Sequence, residues 1–403
     1  MGKPERYVAE ILKERFNVKP ERTLMIGDRH NTDILLGRRC GFKTLLVLTG
    51  ETKLEDVNRW KKSECPEEKD FIPDYYVDAL GDLLPYLEKV KASSSCTMTS
   101  KHLTSLSKEE FQNFIDSIDV ILSDCDGVLW RETEGIPGSP EAVDKLKQLG
   151  KRFIYVTNNN TKTRTEFVEK CKGLNYKATV DEIICTSFLA AVYLKEKKFD
   201  KKAYIVGNIG IAKELEAEGI KYCDIGPDDM VGDELDVLLK FKPDPEVGAV
   251  IVGFDRYFGY PKLLKAATYL ANPNVHFLGT NCDTERPSPN CNKFPGTGCF
   301  VKAIEAASDR KPVMLGKPES FLIEYVTKKF GLNPERTLMI GDNRTTDILF
   351  GKRCGFKTLL VLTGVTSKSD VDAMNASNAN SADLARPDYY ADQLGDILKM
   401  LPS

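Results

Sequence analysis

Short apolar runs alternate with amphipathic stretches along most of the chain. "DVILSD", "RFIYVT", "TLMIGD" and "KTLLVLTG" have the length and composition of buried β-strands. "SPEAVDKLKQLG" is typical of a helix with Ser139 as its N-cap, and "TRTEFVEKCKG" begins with a capping box of Thr163 and Glu166. Apolar strands that alternate with helices predict an α/β fold, in which a Rossmann-like parallel sheet is covered by helices on both faces.

The beginning of the chain is repeated near its end. Residues 2–50 and 316–364 align without a gap, and 32 of the 49 aligned pairs are identical. The register persists to "PDYY", which occurs at Pro73 and again at Pro387. "VILSDCDGVLW", by contrast, occurs only once. The chain therefore has two copies of one segment and a single copy of another.

Five segments are predicted from the repeat, the pattern of strands and helices, and the composition. Residues 1–90 are a partial core duplicate, and the Ser- and Thr-rich stretch after them predicts a linker over residues 91–110. The complete core occupies residues 111–198 and 298–403, and we assign the short strand of "PVMLGK" to its sheet. Residues 199–297 have their own strands and helices, which indicates an inserted second domain.

Composition and charge indicate a soluble globular protein: 41% of residues are hydrophobic, 29% are charged, and the net charge is −3. We expect no nucleic-acid binding because the chain has no basic field, and no membrane association because its apolar runs are short. Eleven cysteines without paired spacing favour reduced thiols and a cytoplasmic location. Three histidines make histidine-based catalysis improbable.

Polar side chains follow four of the predicted strands where each strand ends. Ligands of open parallel sheets bind at this edge. Several carboxylates in one crevice repel each other, and a hard cation such as Mg²⁺ relieves that repulsion. The sequence therefore predicts a site for Mg²⁺ and a substrate phosphate at this edge, where the following residues converge: Asp124, Asp126, Thr157, Asn158, Lys317, Asp342 and Asp347.

Three of these side chains can hydrolyse a phosphate ester. Asp124 is the candidate nucleophile, which would form an aspartyl-phosphate. Asp126 can protonate the leaving oxygen and later deprotonate the attacking water. Lys317 would offset negative charge on the phosphoryl group.

The remaining residues are predicted to bind substrate or metal. Thr157 and the backbone N–H of Asn158, with Asn159 beside them, would position the phosphoryl oxygens, although a plain polar loop explains these residues equally well. Asp342 would be a metal ligand. Asp347 would be an outer ligand or a second metal ligand.

Cys125 and Arg131 have the Cys-x5-Arg spacing of cysteine-based phosphatases. We reject that mechanism because the two flanking carboxylates would raise the pKa of the thiol and disfavour the thiolate. In the inserted domain, Asp255, Arg256 and Tyr257 of "GFDRYFGY" are either substrate contacts or a surface turn.

Four motifs in order, "DCDGVLW", "VTNNNTKTR", "GKPE" and "GDNRTTDILFG", resemble those of the haloacid dehalogenase superfamily of phosphatases. The inserted domain resembles the C2-type cap of that superfamily. "CDGVLWR", "PGTGC" and "CGFKTLLVLTG" are similar to the p-nitrophenyl phosphatase subfamily, which includes phosphoglycolate, glycerol-3-phosphate and pyridoxal phosphate phosphatases. The resemblance implies Mg²⁺, a small phosphorylated metabolite as substrate and a homodimer formed through the cap. It also implies metal ligation by the carboxylates of Asp124 and Asp342 and by the backbone carbonyl of Asp126.

We therefore expect hydrolysis of phosphoglycolate or glycerol 3-phosphate, with pyridoxal phosphate as the alternative. A phosphotransferase with the same intermediate and a weakly active interaction protein, blocked by the partial copy, are the rival hypotheses. In that copy Lys3, Asp28 and Asp33 correspond to Lys317, Asp342 and Asp347, but no Asp-x-Asp strand precedes them. We expect the copy to be catalytically silent, and a fused neighbouring gene, or an error that joined two gene models, would explain it.

Overall fold

The computed structural model divides the chain into two units, Met1–Thr97 and Met98–Ser403. It describes residues 3, 8, 18, 20–83, 99–228, 241–286, 294–376 and 385–401. Nine cysteines lie in these ranges, and all of them are free thiols. None of the helices in the same ranges combines the length and apolar character needed to cross a bilayer.

Nineteen strands occur in the described ranges. In chain order they are β1 Leu24–Gly27, β2 Lys43–Val47, β3 Tyr75–Val77, β4 Lys101–His102, β5 Val120–Ser123, β6 Trp130–Arg131, β7 Glu134–Gly135, β8 Arg152–Thr157, β9 Ile183–Cys185, β10 Lys202–Val206, β11 Lys221–Tyr222, β12 Val247–Val252, β13 His276–Gly279, β14 Glu285–Arg286, β15 Phe294–Pro295, β16 Val313–Met314, β17 Thr337–Gly341, β18 Lys357–Val361 and β19 Tyr389–Ala391.

The α-helices of the same ranges lie between these strands. They are Leu35–Cys40, Leu54–Lys62, Pro66–Lys69, Lys108–Asp116, Ser139–Gln148, Arg164–Gly173, Thr186–Glu196, Ile209–Ala217, Tyr260–Leu270, Thr297–Ser308, Ser320–Phe330, Leu349–Arg353 and Lys368–Ala376. The capping box of Thr163 and Glu166 is confirmed. Ser139, however, is the first helical residue and not the N-cap, because Gly138 takes the N-cap position with a φ of 75°.

The main sheet of the larger unit has seven strands in the order β4-β19-β18-β17-β5-β8-β9. Every pair in it is parallel. The predicted parallel α/β class is thus confirmed. The edge strand β4 lies within residues 91–110, which were predicted to be a linker. Its residues Lys101 and His102 pair with Tyr389 and Tyr390 of β19.

A second parallel sheet, β11-β10-β12-β13-β16, forms the inserted domain. The assignment of "PVMLGK" to the core sheet is wrong, because Val313 and Met314 pair with β13. Val301 and Ile304, from the helix before β16, pack into the same hydrophobic cluster as this sheet. The inserted domain therefore extends past residue 297. The assignment from sequence was wrong because hydrophobic periodicity shows that a strand exists but not which sheet it joins.

The smaller unit has a three-stranded parallel sheet in the order β1-β2-β3. Its first strand repeats the sequence of β17 but has a different environment. Leu24 and Ile26 are 47% and 43% exposed, whereas their counterparts Leu338 and Ile340 are 2% and 1% exposed. The same local sequence therefore forms the same strand in both units, and only the larger unit buries it.

This pair of strands allows one substitution to be tested in two environments. Leu338→Ala should lower the free energy of unfolding of the larger unit by about 2–5 kcal/mol, because it leaves a cavity in the core. Leu24→Ala should change that of the smaller unit by no more than about 0.5 kcal/mol. Urea denaturation of dilute protein measures both free energies of unfolding. Trp130 reports on the larger unit and Trp60 on the smaller unit, and in each experiment the other tryptophan is replaced by Phe. Equal losses would contradict the difference in burial.

Candidate active site

Three neighbouring strands of the main sheet end at the candidate site. Asp124 follows β5, Asp342 follows β17, and Thr157 is the last residue of β8. The order β17-β5-β8 places the Asp-x-Asp strand between the other two. In open parallel sheets this edge is where ligands bind, since the loops after the strands diverge there.

Three carboxylates form the centre of the site. Asp124, Asp342 and Asp347 each offer an oxygen atom, and these atoms lie within 4.8 Å of one another. All three residues are buried. Lys317 contacts two of them, so the four groups, when ionised, would carry a net charge of −2 among largely buried side chains. Oxygen ligands with this excess negative charge fit a hard divalent cation.

Lys317 is a buried ammonium group held between two carboxylates. Its Nζ lies 2.6 Å from Oδ1 of Asp124 and 2.8 Å from Oδ1 of Asp347, and it donates to the carbonyl of Val156 at 2.8 Å. Burial alone lowers the pKa of Lys317, but Asp124 and then Asp347 raise it well above its usual range. The lysine therefore stays charged.

Asp342 is held by backbone groups that come very close to it. The N–H of Val365 donates to its Oδ2 at 2.7 Å. A Cβ on Gly127, which has a φ of +91°, would lie 2.6 Å from the same oxygen, and one on Gly364 would lie 1.8 Å from it. Burial and the neighbouring charge of Asp347 raise the pKa of Asp342 to about 7, against the opposing effects of the Val365 N–H and Lys317. Burial likewise raises the pKa of Asp124 well above its usual range, although Lys317 opposes this.

Asp347 organises the loop that contains Asp342. Its Oδ2 accepts the backbone N–H groups of Asp342 at 3.1 Å and of Asn343 at 3.0 Å. Its Oδ1 is the ion-pair partner of Lys317. The carboxylate of Asp347 thus holds both the loop that contains Asp342 and the ammonium of Lys317. The spacing of five residues from Asp342 allows it to make both contacts.

Asp126 lies at the more open side of the site, with a side chain that is 34% exposed. Its Oδ1 accepts the indole N–H of Trp130 at 2.9 Å and lies 3.5 Å from Nζ of Lys170. Its Oδ2 accepts a hydrogen bond from the amide of Asn159 at 3.3 Å. Sequence reasoning missed Trp130 and Lys170, and the spacing of four residues from Asp126 to Trp130 carries no recognisable signal.

The loop after β8 holds the site together through its side chains. Thr157 Oγ1 accepts the backbone N–H of Asn159 at 3.1 Å. The side chain of Asn158 accepts the N–H of Lys317 at 2.8 Å and donates to its carbonyl at 3.1 Å. The same amide donates to Oδ2 of Asp283 at 2.9 Å. Asn158 therefore positions Lys317 through its side chain, and Asp283 is a further supporting residue that the predicted set did not include.

The other candidates occupy structural roles. Burial raises the pKa of the Cys125 thiol well above its usual range, and the negative charge of Asp124 raises it further. Arg131 donates a hydrogen bond to the backbone carbonyl of Thr363. In the inserted domain Asp255 is buried in an ion pair with Lys262. These contacts disfavour a cysteine-based phosphatase mechanism with Cys125 and Arg131, and they disfavour a substrate contact by Asp255.

Two protein-family models match the chain. A model described as haloacid dehalogenase-like hydrolase matches residues 121–221. A second model, described as HAD-hydrolase-like, matches twice, over residues 1–83 and 314–397. The second match covers both copies of the repeated segment.

Known proteins are similar to more than two thirds of the chain. Glycerol-3-phosphate phosphatase of Mus musculus is 41% identical over 304 residues, covering 73% of this chain and 95% of that protein. Phosphoglycolate phosphatase 1A, chloroplastic, of Arabidopsis thaliana is 39% identical over 309 residues, covering 76% of this chain and 83% of that protein. The solved structure of p-nitrophenyl phosphatase from Archaeoglobus fulgidus matches with a TM-score of 0.60 at 27% identity, covering 71% of this chain and 100% of that one.

The close approach of Gly127 to Asp342 predicts a specific loss of stability. Gly127→Ala should lower the free energy of unfolding of the larger unit by more than Gly150→Ala does. Both positions have positive φ, so both alanines are strained by about 1 kcal/mol or more. Only at Gly127 does the added Cβ also meet Asp342, because nothing lies within 4 Å of Gly150. Urea denaturation of the two variants measures the difference, and equal losses would show that Asp342 does not restrict this position.

Proposed function

The chain belongs to the haloacid dehalogenase-like hydrolase family and is a phosphatase, and we propose that it hydrolyses a small phosphate monoester through phosphorylation of Asp124. The observation that carries this proposal is the buried group of Asp124, Asp342 and Asp347 around Lys317. Phosphate-monoester hydrolysis is among the slowest uncatalysed reactions, so the charges of the site must stabilise the transition state strongly.

The carboxylates of Asp124 and Asp342 and the backbone carbonyl of Asp126 would hold Mg²⁺. Bound there, Mg²⁺ supplies positive charge that neutralises the carboxylates and the phosphoryl oxygens. The donor set favours this ion because carboxylate and carbonyl oxygens suit hard cations. The excess negative charge of the buried cluster is the observation that supports it.

Asp124 is the nucleophile of the proposed reaction. Lys317 binds its Oδ1, so Oδ2 is the oxygen that attacks phosphorus. A bond forms between Oδ2 and phosphorus, and the bond from phosphorus to the leaving oxygen breaks. The positive charge of Lys317 offsets the charge that develops on the transferred group.

Asp126 exchanges the proton in both half-reactions. Its carboxyl group first protonates the leaving oxygen, and the resulting carboxylate then takes a proton from water. The hydroxide attacks phosphorus, and the bond to Asp124 breaks to release inorganic phosphate. Trp130 and Asn159 hold the two oxygens of Asp126, which keeps the carboxyl group aimed during both steps.

The proposed substrate is phosphoglycolate or glycerol 3-phosphate. Two similar proteins act on these compounds according to their names, which supports this choice. The inserted domain, with its own five-stranded sheet, favours a small substrate because it would restrict access to the site. A cytoplasmic location and a homodimer formed through this domain are part of the same proposal.

Asp124→Asn should reduce turnover by a factor on the order of 10⁴ or more, because the amide cannot form the phosphorylated intermediate. Release of inorganic phosphate from p-nitrophenyl phosphate, phosphoglycolate and glycerol 3-phosphate measures this. Asp116→Asn, an exposed substitution on a helix, is the matched control and should keep full activity. Retained hydrolysis by Asp124→Asn would exclude the covalent mechanism, and substrate loss without free phosphate would indicate transfer to an alcohol.

The raised pKa of Asp342 predicts a pH-dependent metal affinity. Below about pH 7 the metal-free carboxyl group is protonated, and the proton competes with Mg²⁺. One such proton makes the affinity increase about tenfold from pH 6 to pH 8. Isothermal titration calorimetry in buffers of different ionisation enthalpy should show proton release at pH 6 and little at pH 8. A constant affinity would show that no ligand with a pKa near 7 exchanges a proton for the metal.

A further inference from the structure

The smaller unit contains half of an active site with the same geometry as in the larger unit. Lys3 Nζ lies 2.6 Å from Oδ1 of Asp33, as Lys317 lies 2.8 Å from Asp347. The carboxylate of Asp28 accepts the backbone N–H of Glu51 at 3.3 Å, which corresponds to the contact of Asp342 with Val365.

A glycine is in close contact with the metal-binding carboxylate in both units. A Cβ on Gly50 would lie 2.0 Å from Oδ2 of Asp28, and one on Gly364 would lie 1.8 Å from Oδ2 of Asp342. The lysine and the metal-binding loop are therefore arranged in the smaller unit without any Asp-x-Asp strand beside them.

The larger unit shows which strand fits this surface. In it, Leu338, Met339 and Ile340 pair in register with Ile121, Leu122 and Ser123 of β5. The N–H of Asp124 donates to the carbonyl of Ile340 at 2.8 Å, so β5 continues directly into the nucleophile. Contact with β5 and the layers around it leaves Leu338 and Ile340 almost fully buried.

Strand β1 of the smaller unit has the same side chains at these positions. Leu24, Met25 and Ile26 are identical to the residues of β17, and within the described ranges β1 pairs only with β2. Within the described residues no strand pairs with its other edge, and the leucine and isoleucine side chains are exposed, which favours addition of a strand. Arg22 is also retained, and its counterpart Arg336 donates to Asp119 at the start of β5.

We propose that the smaller unit is a receptor for strand β5 of a second copy of this chain. The docked strand would complete an alternative active site, with Asp124 and Asp126 from one copy and Lys3, Asp28 and Asp33 from the other. The occupant is a second copy because the surface repeats the one that already holds Val120–Ser123. The site would perform the reaction proposed above, so the inference rests on that function.

Strand β5 can exchange between β17 of its own chain and β1 of another copy because these two strands have identical residues from Leu24 to Gly27 and from Leu338 to Gly341. Replacing residues 316–364 by residues 2–50 exchanges one strand pairing for another with identical residues along the contact. Exchange of identical elements is a low-cost route to a dimer. The strand pairs therefore balance, and the fraction of sites formed between two copies rises with protein concentration.

Two full-length variants test this when they are mixed. Asp124→Asn/Asp342→Asn keeps the half-site of the smaller unit intact but lacks the nucleophile. Asp28→Asn/Asp342→Asn keeps the Asp-x-Asp strand but lacks the metal-binding aspartate of both units. Each alone lacks a complete site, so the mixture should release phosphate from p-nitrophenyl phosphate in the presence of Mg²⁺ at least tenfold faster than the sum of the two separate rates. The rate should rise more steeply than linearly with total protein.

Two further substitutions separate docking from misfolding. Ile26→Lys, added to the variant that carries the intact half-site, should remove the gain because it places a charge on the docking edge. Tyr75→Lys is the matched control, since Tyr75 is 57% exposed on the opposite edge strand β3, and it should leave the gain intact. Circular dichroism and thermal melting confirm that each variant is folded.

The other outcomes would overturn the inference. A mixture no faster than the sum of its parts, from folded variants, would show that the smaller unit completes no site with a second copy. A gain that survives Ile26→Lys would show that β1 is not the docking edge. Failure of the proposed function is distinguishable, because the unsubstituted chain would then release no phosphate.

Discussion

The buried ammonium of Lys317 between Asp124 and Asp347 is the interaction on which the site depends. An unpaired ammonium in such a place costs several kcal/mol, so the lysine requires both carboxylates. The carboxylates in turn need the lysine and a further cation, because oxygen atoms of all three lie within 4.8 Å of one another. The composition of the site, its affinity for a divalent cation and the orientation of the nucleophile all follow from this mutual requirement.

This ion pair also connects the two domains of the larger unit. Lys317 comes shortly after β16, a strand of the inserted domain, whereas Asp124 and Asp347 follow strands β5 and β17 of the main sheet. Asn158 extends the connection, since its side chain binds the backbone of Lys317 and the carboxylate of Asp283. The position of the ammonium is therefore set by both sheets.

The repeated segment separates local from long-range effects within one molecule. Residues 2–50 and 316–364 share the strand, the turn after it and the lysine–aspartate contact. Their burial differs because burial is decided by β5, which only the larger unit supplies. Identical side chains are thus core residues in one copy and an exposed edge in the other.

The sequence by itself determined the strands, their parallel arrangement and the residues that gather at their carboxyl ends. These features follow from apolar runs and from the spacing of Asp124, Asp126, Asp342 and Asp347, which are local properties. Only the tertiary structure decided that β16 joins the second sheet, that Gly138 replaces Ser139 as the N-cap, and that Trp130 and Asp283 support the site. Each of these features depends on contacts between residues distant in sequence or on backbone angles. Hydrophobic periodicity predicts neither the contacts nor the angles.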